Sequence, residues 1–234
     1  PKFDIANDRD IGAEALVRWK HPDTGLMPPK HFIPIFEKNG FISRLDYYVW
    51  EHVCRLIHKW LGDGICLDPI TVNISRISLY NPRLADILSG LIEQYDVPIG
   101  LLNLEITESA YTENPEQVIE TVGYLRELGF VIEMDDFGSG YSSLNTLSEL
   151  PIDVLKLDLK FLREETETKR RHATMQAVIN LALELGLQVI AEGVETKQQA
   201  QRLALMGCQY AQGYYYGHPM PQEEFEEHFM DCCI

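Results

Sequence analysis

FVIEMDDFGSGY, residues 130–141, is the stretch around which the rest of the chain is read. Phe130-Val131-Ile132 is an apolar, partly β-branched run of the kind a buried strand prefers. It leads to two adjacent carboxylates, Asp135 and Asp136, and breaks at Gly138 and Gly140. A strand ending in paired acids and a glycine turn presents those acids on the rim of a sheet, where loops and ligands meet. Successive strand side chains point to opposite faces, so only one of two neighbouring acids projects inward from a regular strand. The second must lie at the start of the turn to share the same pocket. Two carboxylates that close repel unless cations or protons neutralise them. On this stretch alone, a solvated strand end with an Asp turn is an equal alternative.

Working outward, the same strand-then-polar pattern recurs on both sides. Ile70–Ile74 (ITVNI) carries Asn73, Leu101–Ile106 (LLNLEI) carries Glu105, and Val154–Leu157 (VLKL) delivers Lys156 and then Asp158. Gln188–Ala191 leads to Glu192, and Tyr210–Tyr216 contains Gln212. Helical spacing marks Pro34–Asn39, Leu45–Leu61, Leu84–Tyr95 and Ala173–Leu185. Asn114-Pro115-Glu116-Gln117 reads as a capped helix start and Gly129 as its stop; Thr196 with Gln199 reads as a capping box for a helix closed by Gly207. Residues after Pro219 read as a short closing helix.

Strands alternating with glycine-stopped helices imply parallel strands joined by helical crossovers. Near the N-terminus, Lys2–Ala6 and Ile11–Trp19 flank a polar turn and read as a hairpin, which places Glu14 and Arg18 on one strand face. Eight strands are counted in all, so the expected fold is an α/β, TIM-like (β/α)8 barrel with one antiparallel strand from that hairpin. The chain is read as a single domain, 1–234, cut from a longer protein, because Pro1 runs directly into strand-like sequence.

Composition narrows the function. A hydrophobic content of 45% is that of an ordinary globular domain. No apolar run approaches the roughly 20 residues of a membrane helix, and no signal segment opens the chain; a cytoplasmic location is expected, free or as part of a membrane-anchored protein. A formal net charge of −16 argues against polymeric nucleic acid as a partner, though not against a small anion held through metal ions. Five cysteines lack metal-ligand spacing and are expected to be reduced. Seven histidines share no strand-end pattern and read as surface or packing residues.

The polar residues at strand ends are Glu14, Asn73, Glu105, Asp135 with Asp136, Lys156, Glu192 and Gln212. In a barrel those ends converge on the face where active sites of this architecture lie. One such acid could be structural; this many together need counter-ions, since their mutual repulsion amounts to several kcal/mol even at a surface dielectric. Oxygen-only ligands point to hard cations such as Mg²⁺ or Mn²⁺, and adjacent Asp residues suit two metals about 3.5–4 Å apart, as in phosphodiester hydrolysis.

These residues carry a family resemblance. Glu14-Ala15-Leu16-Val17-Arg18, VNIS (72–75), LEITES (104–109), DDFGSGYSSL (135–144), LKLD (155–158), AEGVET (191–196) and QGYYYGHPM (212–220) are collinear over almost the whole chain. In that order they resemble the EAL-domain phosphodiesterases of cyclic di-GMP. The resemblance implies a dimeric barrel that cleaves cyclic di-GMP to linear pGpG with two Mg²⁺ or Mn²⁺ ions per active site; Ca²⁺, which prefers more and longer oxygen contacts, is expected to inhibit. It implies Glu14, Asn73, Glu105 and Asp135 as ligands of a first metal, with Asp135 bridging to a second supported by Asp136 and Glu192. Lys156 resembles the residue that touches the attacking water, and Glu108 the acid bracing the loop after Asp136. Asp158 and Glu195 match further catalytic positions, and Leu16, Arg18 and Gln212 match substrate contacts. An upstream sensor or cyclase-like domain is plausible on the same ground. The alternative is a catalytically weak or silent cyclic di-GMP receptor; another rival is a barrel hydrolase acting on a different phosphodiester.

Overall fold

The computed structural model of the chain describes residues 1–23, 25–111, 114–137, 144–159 and 169–229. Helix boundaries follow the local chemistry. The Asn114 side chain accepts from the Gln117 N–H at the head of α6 (Pro115–Leu128), whose last turn is closed by Gly129 in the left-handed region. Thr196 and Gln199 exchange both bonds of a capping box at the start of α9 (Lys197–Leu205).

A nine-stranded sheet runs in the order β2 (Arg9–Asp10), β1 (Phe3–Asp4), β11 (Tyr210–Gln212), β10 (Gln188–Glu192), β9 (Val154–Asp158), β8 (Ile132–Phe137), β7 (Leu102–Thr107), β6 (Ile70–Asn73), β3 (Ala13–Glu14). Its two ends, β2 and β3, are successive pieces of one short run, so the sheet wraps into a barrel. Lys2 closes it, donating its N–H to the Gly12 carbonyl (2.8 Å) and accepting from the Ile11 N–H (2.9 Å). All pairs from β3 round to β11 are parallel, whereas β1 is antiparallel to both of its neighbours. The expected antiparallel strand is therefore present, and it is the first piece of chain.

The second half of the expected hairpin differs. Regular pairing stops at Glu14, and Trp19–His21 (β4) instead pairs with Gly25–Met27 (β5) in a separate two-stranded sheet. Glu14 and Arg18 therefore do not share one strand. The last strand is also shorter than the apolar run suggested, ending at Gln212. Gly213 follows with φ 153°, and a Cβ there would come within 2.3 Å of the Val194 backbone. That close approach leaves room only for glycine.

Between the strands lie α1 (Ile33–Asn39), α2 (Ile42–Gly62), α3 (Arg76–Leu79), α4 (Leu84–Gln94), α5 (Glu108–Tyr111), α6, α7 (Leu144–Glu149), α8 (Lys169–Glu184) and α9, and α10 (Gln222–Phe229) follows the last strand. Val72, Leu104, Ile132, Leu155, Val189 and Ala211 are fully buried on successive strands. Strand alternation turns these residues toward the helices and their polar neighbours into the barrel. The main apolar core thus lies between strands and helices, and the lumen is left for polar chemistry. Cys54 and Cys208 are free and buried, while Cys66 is disulfide-bonded, against the expectation of reduced thiols throughout. Cys232 and Cys233 lie outside the described residues.

Candidate active site

Parallel strands carry their C-terminal ends to one rim, and there the side chains of four strands surround one ammonium group from a fifth. Lys156 on β9 is fully buried. Its Nζ lies 2.6 Å from Glu105 Oε2 on β7, 2.6 Å from Glu192 Oε1 on β10, 3.2 Å from Glu14 Oε2 on β3 and 3.8 Å from Asp135 Oδ1 on β8. Glu14 is held from two further sides: Asn73 Nδ2 donates to its Oε1 (3.1 Å) and Gln212 Nε2 to its Oε2 (3.0 Å).

Four carboxylates around one lysine leave an excess of negative charge, and burial sharpens the consequence. For Glu192, burial pushes the pKa up to about 8, reinforced by Asp135 and Glu14 and only partly opposed by Lys156. Glu105 is pushed well up, first by burial and then by Glu14 and Asp135. Burial acts on Glu14 in the same sense, but Lys156, the Gln212 bond and Lys2 together hold it at about 2. Lys156 would be lowered by burial, yet the acids around it keep its pKa well above the ordinary value, so it stays charged. Without a cation, burial and crowding therefore favour the protonated forms of Glu192 and Glu105.

The donor set suits a hard cation. Every candidate ligand offers oxygen, and Glu105 Oε1 is buried with no hydrogen-bond partner, as is Gln212 Oε1. The Asp135 and Glu192 side chains remain 18% and 20% exposed, which opens that side to solvent. Among the described residues, no three His, Cys, Asp or Glu side chains converge as a ready cage; the acids close on Lys156 instead.

The backbone near two ligand positions has its own devices. β8 carries a bulge between Met134 and Phe137, and Asp136 inside it has φ 58°. Asp tolerates the left-handed region better than most residues, and a bulge breaks strand alternation, so adjacent acids need not face opposite ways. The Asp136 N–H donates to Asp135 Oδ1 at 2.6 Å, fixing that carboxylate. Around Asn73, Trp50 Nε1 donates to the Asn73 carbonyl (3.0 Å) and the Ser75 N–H donates to Asp46 Oδ2 (3.1 Å), so α2 clamps the end of β6.

Other expected residues sit nearby in less decisive places. Asp158 is buried, with register partner Glu192. Glu108 is buried at the head of α5, directly after Thr107, which pairs in register with Asp135. Glu195 is exposed, and its backbone N–H donates to Gln199 Oε1. Leu16 is 40% exposed near the rim, and Arg18 spends one guanidinium bond on the Val17 carbonyl. Of the tyrosine run, Tyr216 stacks on Phe3 while Tyr214 stacks on His218 and stays exposed. Gly138, Gly140 and Tyr141 fall outside the described residues, as does the side chain of Leu144.

Residues 1–219 match the family model of the EAL domain. The chain belongs to the EAL domain family. It is 36% identical over 235 residues to the cyclic di-GMP phosphodiesterase RocR of Pseudomonas aeruginosa, covering all of this chain and 58% of that protein. It is 40% identical over 227 residues to the cyclic di-GMP phosphodiesterase NbdA of the same organism, covering 97% of this chain and 29% of that one. The chain thus spans less than two thirds of these relatives. Among solved structures, the PaMucR phosphodiesterase in complex with c-di-GMP superposes with a TM-score of 0.89 at 36% identity, over 96% of this chain and 91% of that one. EAL phosphodiesterases are metal-dependent as a class. Among the described residues, no helix is long and apolar enough to cross a membrane.

Proposed function

We propose that this EAL domain hydrolyses cyclic di-GMP to linear pGpG with two divalent cations, Mg²⁺ or Mn²⁺, bound at the rim described above. The observation that carries the reading is the convergence of Glu14, Glu105, Asp135 and Glu192 on Lys156 at the C-terminal ends of the strands. The names of the similar phosphodiesterases support the substrate. Glu14, Asn73, Glu105 and Asp135 would hold one cation, and Asp135, Asp136 and Glu192 the other. When bound, two such ions lower the pKa of water and stabilise charge developing on a phosphodiester.

The chain's own residues do the rest. Lys156, kept charged in the metal-free site by the acids around it, would place positive charge and N–H donors beside the attacked phosphorus and orient the attacking water. Asn73 and Gln212 fix Glu14 so that it keeps its orientation as charge changes around it. A bound cation would favour the charged forms of Glu192 and Glu105, which burial disfavours without one. Leu16 and Arg18 would meet the substrate at the mouth, Arg18 through a phosphate oxygen. Asp158 and Glu195 would serve as further catalytic residues, and Glu108 would brace the loop after Asp136. A cytoplasmic homodimer and an upstream sensor or cyclase-like domain belong to the same proposal.

The product profile from cyclic di-GMP, with Mn²⁺ and with chelator, tests it. Release of pGpG that stops with chelator is expected. Tight cyclic di-GMP binding with no product would make the domain a receptor, and product only from other phosphodiesters would make it a different hydrolase. Ca²⁺ is expected to bind and inhibit, because it takes six to eight oxygens at about 2.3–2.6 Å where Mg²⁺ demands octahedral geometry near 2.0–2.1 Å.

A further inference from the structure

Directly beneath the acid cluster lies a second polar layer. Thr71 stands two residues before Asn73 on β6, Asn103 two before Glu105 on β7, and Glu133 two before Asp135 on β8. One strand repeat separates the members of each pair, so they share the inward face about 6.4–6.8 Å apart in height. Lys2, just before the antiparallel β1, reaches across the lumen to this layer. Its Nζ donates to Glu133 Oε1 (2.7 Å) and Oε2 (2.6 Å) and to Thr71 Oγ1 (2.6 Å). Thr71 Oγ1 donates onward to Glu133 Oε1 (2.8 Å), as does Asn103 Nδ2 (3.0 Å). Glu133 on β8 therefore accepts from β6, from β7 and from the residue that closes the barrel, and Lys2, Thr71 and Glu133 are all buried.

We infer that this layer is a positioning platform for the site above it: Lys2, Thr71, Asn103 and Glu133 set the height and spacing at which β6, β7 and β8 present Asn73, Glu105 and Asp135. The inference rests on the proposed function, since it concerns how that site's cation-binding residues are held. Stability alone does not call for such a layer. Barrels of this kind fill their lumen with branched apolar side chains, and exchanging a buried ion pair for apolar residues of similar volume is often neutral or stabilising. Directional bonds between strands do what apolar packing does less well, fixing one register and one separation. The three strands tied together here are the three that carry Asn73, Glu105 and Asp135, each two residues further on.

The test is Lys2→Met/Glu133→Met, which removes both charges at once and keeps the volume, with Thr71→Val as a milder second variant. Thermal melting, Mn²⁺ titration by calorimetry, and kcat and KM for cyclic di-GMP are measured on each. The expected result is a double variant that melts no lower than wild type, yet binds Mn²⁺ about tenfold or more weakly. Its kcat falls while KM changes little. Thr71→Val shows the same pattern, less strongly. Folded variants whose Mn²⁺ affinity and kcat stay within about twofold of wild type would reduce the layer to packing. Failure of both variants to fold would make it a folding determinant, again overturning the inference. A wild-type protein that binds Mn²⁺ but releases no product would overturn only the hydrolysis, and the affinity comparison would still decide the platform. A wild-type protein that binds no Mn²⁺ overturns the functional reading, and the platform with it.

Discussion

Lys156 and Lys2 are both buried inside one barrel, and their surroundings differ in kind. Lys156 faces four carboxylates that bring more charge than it can balance, and two polar atoms beside it, on Glu105 and Gln212, have no partner. Lys2 faces one carboxylate, and the pair is neutral, with Thr71 and Asn103 filling in the remaining bonds to Glu133. Electroneutral, with both Glu133 oxygens bonded although Asn103 Oδ1 has no partner, the lower layer is suited to holding a shape. The upper layer, overcharged and under-bonded, is suited to taking a ligand. The same residue type therefore has opposite consequences when replaced.

The largest effect is expected from Lys156→Met. Turnover should fall by about 10²–10³-fold, as when one donor to developing charge is removed, while cyclic di-GMP binding is largely kept. Equal loss of binding and turnover in steady-state and binding assays would move Lys156 to a ground-state role and weaken the contrast with Lys2. Next come Glu105→Ala, Glu14→Ala and Asn73→Ala. Each should leave the fold intact and cut Mn²⁺ affinity beyond the roughly 10–100-fold typical of losing a supporting group. Unfolding, or hydrolysis at the wild-type rate, would show that these residues belong to the frame and not to the site.

Removing only one of the two charges in the lower layer should cost stability as well. Lys2→Met alone leaves Glu133 buried without its cation, which costs about 3–5 kcal/mol. Denaturant unfolding should show that loss, and the double variant with Glu133→Met should recover it. No loss from the single change would mean that water or a neighbour compensates, and the two layers would differ less than their geometry suggests.

Much of this was legible in the sequence because barrels and their rims follow simple periodicities. Asn114, Gly129 and the Thr196–Gln199 capping box set helix ends where the sequence placed them. Glu14, Asn73, Glu105, Asp135, Lys156, Glu192 and Gln212 stood out as polar residues at the ends of apolar strands, and they do meet. What escaped was set by contacts between distant segments. Strand-like sequence through Trp19 gave no sign that pairing would end at Glu14, nor did the apolar run 210–216 reveal the backbone crowding at Gly213. Glu133 was in plain view two residues before Asp135, where the parity that selects Asp135 also points it inward. Its partner Lys2 lies 131 residues away in sequence, so the layer appears only in three dimensions. The bulge at Asp136 likewise replaces the simple turn that adjacent acids suggested.

The smallest expected effect is a dependence of stability on pH in the metal-free protein, and its sign separates the layers once more. Glu192 has its pKa raised to about 8 in the folded state, and Glu105 shifts in the same direction. The folded protein then holds more protons than the unfolded chain between the ordinary carboxylate range and about pH 8, so stability falls as pH rises through that window. Glu14, held at about 2, acts in the opposite sense: its contribution is present above the ordinary carboxylate range and is lost as pH falls toward 2. Glu133 is also lowered, with burial opposed by Lys2, and joins Glu14 on the acid side. The chelated protein should therefore melt highest at mildly acidic pH and lower at pH 8, each kcal/mol lost appearing as about 2–4 °C in a protein of this size. Saturating Mn²⁺ should flatten the alkaline limb, because bound cations replace the protons on Glu192 and Glu105. The acid limb from Glu133 should persist with or without Mn²⁺, because Lys2 and not a cation lowers it. A chelated protein whose melting temperature rises steadily from pH 5 to 8 would show that the upper acids are already ionised, removing the main electrostatic difference between the two lysines.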